Sequence, residues 1–228
     1  MKKISWLIFT FLTLFLIPLS FAQFGKTSGP RFYGDFKLLV GGWSEYQITA
    51  KGESPSKMKI AIVGKEGDAY WYETVTEGKR EGRMITKMLV SGNPEDPNHV
   101  KRMIVKMGNE PAMEMPVQMM QQSSKGQGQP GRVIDKGTES VKVPAGTFTT
   151  KHLQYQEGNE LVDAWVYKDV SPYGMIKSET KDLEMVLLGY GIGAKTLITE
   201  TPKKFEMPGG MPKRSPKGKA PTKDEGDD

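Results

Sequence analysis

The feature that most limits the fold is a run of short segments with strand character along most of the chain. Trp43–Ala50 places Tyr46, Ile48 and Ala50 on one face, and Lys57–Val63 sets Met58, Ile60 and Ile62 against Lys57 and Lys59. Ala69–Val75 carries three consecutive aromatics, Tyr70, Trp71 and Tyr72. Arg83–Val90, Val100–Lys106, Glu139–Val143, Thr147–Tyr155, Leu161–Tyr167, Met175–Lys181, Leu183–Tyr190 and Lys195–Thr199 follow in the same style. A period of two with β-branched and aromatic enrichment is the pattern of strands. The joints carry turn residues, as in Gly64-Lys65-Glu66-Gly67-Asp68, Asn93-Pro94-Glu95-Asp96-Pro97-Asn98 and Pro144-Ala145-Gly146.

Strands this closely spaced leave no room for the helical crossovers that parallel pairing requires. The expectation is a mainly β domain built as an antiparallel meander, with a few short helices at most. The best helix candidates are Tyr33–Val40 and Pro116–Gln122.

Both ends differ from this body. Lys2 and Lys3 precede an apolar run of 14 residues from Ile4 to Ile17, then Pro18, and Ser20-Phe21-Ala22 offers small residues at −3 and −1. That is the layout of a secretory signal peptide over residues 1–22, cleaved between Ala22 and Gln23. The run is shorter than the roughly 20 residues needed to span a bilayer, so no transmembrane segment is expected after processing. The leader's style is bacterial, and it places the mature chain in the periplasm or outside the cell. At the other end, residues 203–228 are rich in Pro, Gly and Lys, with seven Lys/Arg against five Asp/Glu. Such a composition predicts a disordered tail. The body is residues 23–202, interrupted by a Met-rich insertion at 107–131.

The net charge of +5 comes mostly from those ends, because Lys2, Lys3 and the tail supply +4 of it. A near-neutral body argues against a nucleic-acid partner, which needs a basic face. The chain has no cysteine and two histidines, His99 and His152. Disulfides, thiolate chemistry and cysteine-bound metals are thereby excluded. Gly189-Tyr190-Gly191-Ile192-Gly193-Ala194-Lys195-Thr196 looks like a degenerate phosphate loop. It lacks the following helix that phosphate binding requires and reads better as a glycine-rich bend. His99 sits in a proline-rich turn beside Glu95 and Asp96, and His152 falls mid-strand. A metal site needs three or four convergent ligands, so His99 reads as part of an exposed turn and His152 as a half-buried strand residue. The expectation is a non-enzymatic protein with no cofactor.

The insertion is the most distinctive stretch. Its 25 residues hold Met107, Met113, Met115, Met119 and Met120, followed by a Gln/Ser/Gly run. Three readings stay open: a thioether Cu(I) site, an adaptable apolar surface for a lipid-like ligand or a protein partner, and core filling.

A second set of residues carries a family resemblance. Glu139-Ser140-Val141-Lys142-Val143-Pro144-Ala145-Gly146-Thr147-Phe148 is followed by Lys151-His152, Asp163-Ala164-Trp165-Val166 and Pro172-Tyr173-Gly174-Met175-Ile176-Lys177. This layout resembles that of bacterial exported domains of uncharacterised role with a V-P-A-G-T-F motif. Those domains are similar in turn to the lipoprotein-carrier (Lol-type) fold. The resemblance covers about 40 residues. It implies a single strongly curved antiparallel sheet, or half-barrel, whose concave side holds an acyl chain. On the residues alone, Pro144-Ala145-Gly146 is a hairpin turn and Phe148 a core anchor.

The combined expectation is an envelope protein that binds an apolar or acylated ligand, lipid or lipoprotein, in a concave sheet cavity. Met113, Met115, Met119 and Met120 would form the lid, and Tyr70, Tyr72 and Trp165 the floor. The alternatives are a protein-interaction module of the envelope and a methionine-type Cu(I) binder.

Overall fold

The computed structural model describes residues 32–79, 82–118, 132–157 and 160–205. The leader at 1–22, Met119, Met120, the Gln/Ser/Gly run and residues 206–228 lie outside the described residues.

The described residues form one open, curved sheet of twelve strands with almost no helix. In chain order these are β1 (Trp43–Ala50), β2 (Ser56–Glu66), β3 (Ala69–Gly78), β4 (Gly82–Val90), β5 (Val100–Met107) and β6 (Met113–Met115). Then come β7 (Val133–Val143), β8 (Gly146–Glu157), β9 (Glu160–Val166), β10 (Met175–Glu179), β11 (Leu183–Gly191) and β12 (Lys203–Lys204). The spatial order is β12-β6-β5-β4-β3-β2-β1-β11-β10-β9-β8-β7. Two meanders, β1 to β6 and β7 to β11, are thus joined through the antiparallel β1–β11 pair. Every neighbouring pair is antiparallel except β12 with β6. Among the described residues no helix is long and apolar enough to cross a membrane.

Period-two alternation fixes which face each residue takes. The inner face carries Ser44 and Tyr46 of β1, Met58, Ile60 and Ile62 of β2, Tyr72 of β3 and Met185 and Leu187 of β11. These belong to the main core, where Tyr46, Ile60, Ile62, Met185 and Leu187 are wholly buried. Burying an aliphatic side chain of this size is worth roughly 1.5–3 kcal/mol relative to leaving it exposed.

Two irregular segments cover the middle of that face. The first is 32–42, where a helix over Tyr33–Val40 is expected from sequence. The structure has none there. Its backbone bonds go outward, Lys37 N–H to Pro172 O (2.8 Å) and Gly41 N–H to Ile62 O (2.6 Å), and its rings go inward. Phe32 stacks on Tyr173 at 4.5 Å and Phe36 lies 4.9 Å from the same ring. Tertiary pairing has overridden local propensity. Gly34 allows the approach, since a Cβ there would fall 1.7 Å from the Tyr173 carbonyl oxygen. The second covering segment, 167–174, supplies Val170 and Tyr173 to the core.

The strand expected at Lys195–Thr199 is also absent. Here the chain runs across the outer face as a strap. The Leu197 N–H that a ladder would need donates instead to the Glu73 carboxylate at 3.0 Å. Ile198 packs into a small outer-face cluster with Val75, Ile85, Ile104 and Ala112. The insertion is partly regular, because β5 runs to Met107 and Met113–Met115 is strand. Within the Pro116–Gln122 helix candidate, Val117 and Gln118 are helical, and 119–122 lie outside the described residues.

Candidate functional site

The inner face has two halves. Around β1, β2, β10 and β11 it is filled by the two covering segments. Toward β4, β5 and β6 it presents methionines in cross-strand register. Met88 is opposite Met103, and Met103 is opposite Met115. Met84 is opposite Met107, and Val105 is opposite Met113. Residues directly opposite on antiparallel strands share a face and touch, so this is one thioether strip. Met88 is buried at 8% exposure, Met84, Met103 and Met115 are half-buried, and Met113 and Met107 are 36% and 46% exposed. Thr76 pairs with Met84 and Thr86 with Val105, placing hydroxyls at its border.

The seven residues expected at the site are distributed as follows. Met113 and Met115 stand on this strip, while Met119 and Met120 lie outside the described residues. Tyr72 is on the same face but buried, in edge contact with Tyr173 at 6.3 Å and Phe36 at 6.0 Å. Burial pushes its hydroxyl up to about 12, so it is a core phenol. Tyr70 is half-buried opposite Val90, with the Lys65 ammonium 5.2 Å from its ring centre. Trp165 is on the other face. It pairs with Lys177 and His152, whereas its neighbours Val162 and Ala164 point into the core.

Sequence reading missed Met84, Met88 and Met103. The signal was present as spacing: Met84 and Met88, and Met103 and Met107, stand four apart on strands, which puts each pair on one face.

On the outer face Trp165 belongs to a polar lattice. The His152 ring stacks on the Trp165 ring at 4.5 Å. One Glu139 carboxylate oxygen lies 2.6 Å from the Trp165 Nε1 and 2.8 Å from the His152 Nδ1. His152 Nε2 sits 2.7 Å from Asp163 Oδ1, which also accepts from Gln154. Lys177 lies 5.2 Å over the Trp165 ring and pairs with Glu179 and Glu184. No nucleophile adjoins His152 in these contacts. The lattice ties β7 to β11 across the sheet.

The glycine-rich bend has a packing role. Gly189 and Gly191 lie beneath the Trp43 ring, and Gly193 adopts a φ of 101°. Thr196, at the position of a phosphate-loop hydroxyl, donates to Glu73 at 2.6 Å. Among the described residues no group of three or more His, Asp or Glu could hold a metal ion.

The free edge beside the strip is held by charge. Arg102 donates to both Glu114 carboxylate oxygens at 2.9 and 3.3 Å. That hydrogen-bonded guanidinium holds the Glu114 carboxyl below the usual carboxylate range. Lys106 pairs with Glu200 of the strap and lowers it in the same way.

No protein-family model matches the sequence, and no curated protein matches it. Solved structures resemble the chain only distantly. A Parabacteroides distasonis protein classed as a lipoprotein superposes over 71% of this chain and 100% of its own, at 14% identity and a TM-score of 0.36. MucB in complex with MucA(peri) superposes over 72% of this chain and 54% of the MucB chain, at 8% identity and a TM-score of 0.42. A Bacteroides fragilis protein classed as exported, with a YmcC-like fold, covers 71% of this chain and 100% of its own, at 12% identity and a TM-score of 0.34. Likeness of this degree assigns no role to any residue.

Proposed function

We propose that the mature chain is an exported, non-enzymatic protein of the bacterial envelope that binds an apolar or acylated ligand along the methionine strip of β4, β5 and β6. The observation that carries this reading is the register Met88–Met103–Met115 with Met84–Met107, a strip whose Met88 end is buried in the main core and whose Met107 and Met113 end is exposed. Thioether side chains adapt to ligands of varied shape at little strain. Apolar sites bordered by a few hydroxyls are the usual form of a small-molecule pocket. Met119 and Met120 follow directly in sequence and would cover the ligand.

A fluorescent fatty-acid probe tests the reading. The mature protein, beginning at Gln23, should bind it. Replacing Met113, Met115, Met119 and Met120 together with Ser should weaken binding at least about tenfold, or roughly 1.4 kcal/mol, with the β circular dichroism retained. A folded variant that binds as tightly as the wild type defeats the proposal, and an unfolded one shows that these methionines fill core. Tight Cu(I) binding without probe binding would favour thioether metal chemistry in its place.

A further inference from the structure

We propose that residues 194–205, which include the edge strand β12, act as a strap that seats its neighbour β6, so that the outer face controls the methionine strip on the inner face; this rests on the reading of that strip as the ligand site. β6 is only three residues long, and on one side it pairs with β5 at three positions. A strand so short has little hold of its own. Its other side is satisfied by the strap. Lys203 N–H donates to Ala112 O at 2.9 Å, Phe205 N–H donates to Glu114 O at 3.0 Å, and β12 runs parallel to Met113 and Glu114.

The strap is itself fastened on the outer face. Glu73, 3% exposed, accepts from the Thr196 hydroxyl at 2.6 Å and from Leu197 N–H at 3.0 Å. A buried carboxylate stripped of those donors is costly, so the contact favours the seated strap. Ile198, 4% exposed, enters a cluster that includes Ala112, the residue immediately before β6. The strap therefore meets the start of β6 in two ways, through the cluster that Ile198 shares with Ala112 and through β12 beside Met113 and Glu114. The inner-face partners of β6 are the ligand strip: Met113 against Val105 and Met115 against Met103. Thr196, Ile198 and Glu73 are then positioning residues for a site they do not touch. Coupling of this kind is reciprocal, so a ligand on the strip must also tighten the strap.

Hydrogen–deuterium exchange on the mature protein tests the inference. Ile198→Ala should lower the protection of amides 113–115 and 203–205 at least about tenfold, leave β1, β2 and β11 unchanged, and raise the Kd for the fatty-acid probe at least about threefold. Probe binding to wild type should slow exchange at 196–205. Loosening at 196–200 with 113–115 unmoved would overturn the inference. If Ile198→Ala exposes the whole sheet, native-state exchange of wild type in graded denaturant decides. Residues 113–115 and 196–205 must then open as one unit, and separate openings overturn the proposal. A wild type that binds no probe defeats the ligand reading alone, because the exchange of 113–115 still judges the strap.

Discussion

The two halves of the inner face are built from different materials. The half over β1, β2, β10 and β11 is a locked core: Tyr46, Tyr173, Ile60 and Ile62 are wholly buried, and the Tyr46 hydroxyl donates to Met175 O at 3.1 Å. The half over β4, β5 and β6 runs from buried Met88, Val90 and Val100 to exposed Met107 and Met113, and it ends in the three-residue β6 and the two-residue β12. Rings with two torsions and a bonded hydroxyl specify one packing. Unbranched thioethers tolerate many. The same sheet can thus hold its shape at one end and accommodate a guest at the other.

Point substitutions should separate the halves most strongly. Ile60→Ala, in the filled half, is expected to lower unfolding free energy by about 2–5 kcal/mol, since the site cannot collapse around the missing atoms. Met113→Ala, in the open half, should stay within about 0.5 kcal/mol in the same urea titration. Probe affinity should show the reverse order, with Met113→Ala the more damaging. Equal stability losses at the two positions would mean that the strip is core.

Much of this division was written in the chain, in a form that only strand geometry decodes. The alternation of Met58, Ile60 and Ile62 announces an inner face, and β1 runs over the expected Trp43–Ala50. The methionine strip was half legible. Reading 107–131 as one insertion groups Met113 and Met115 but hides their register with Met103 and Met88, which needs strand pairing that no local signal gives. Trp165 joins the expected floor because its alternation is visible in the sequence while the identity of the buried face is not. The 32–42 segment misled for a physical reason. Within the expected helix Tyr33–Val40, Phe36 is held by the Tyr173 ring and Lys37 N–H by Pro172 O, so tertiary partners take the place of helical bonds.

Opposite ends of the pH scale should also distinguish the halves. In the filled half, burial raises the hydroxyls of Tyr46, Tyr72 and Tyr173 above their ordinary value of 10, to about 12 for Tyr72. The folded state then holds these protons more tightly than the unfolded state does. Their contribution is intact below pH 10 and is lost as pH climbs from there through the folded values. At the open edge the signs invert. Glu114 and Glu200 titrate below their ordinary 4.5, held down by hydrogen bonds from Arg102 and Lys106. What they contribute is present above pH 4.5 and fades as pH falls through the lowered values. A half-exposed, salt-screened pair such as Arg102–Glu114 is worth about 0.2–1 kcal/mol. Acid should therefore loosen 113–115 and 203–205 in hydrogen exchange before the tyrosine core responds, whereas base should unfold the sheet as a whole. Simultaneous loss of both regions in acid would deny the edge its separate standing.

The smallest expected effect lies just past the strap. β12 ends at Lys204, and Phe205 N–H makes the last backbone bond to β6. Residues 206–228 contain Met207 and Met211 as their only large apolar side chains, among Pro, Gly, Lys and Asp. Their composition predicts no ordered packing, because ordering a backbone costs roughly 1–2 kcal/mol per residue and little apolar area is there to offset it. Deleting them should leave the thermal midpoint within about one degree, against the 2–4 °C expected per kcal/mol for a domain of this size. Deletion from Ala194 onward is different in kind, because it removes Thr196 and Leu197 from Glu73, Ile198 from its cluster and β12 from the edge. That truncation should lower the midpoint by several degrees. A midpoint that falls equally in both truncations would place the anchoring beyond Phe205 and take it away from the strap.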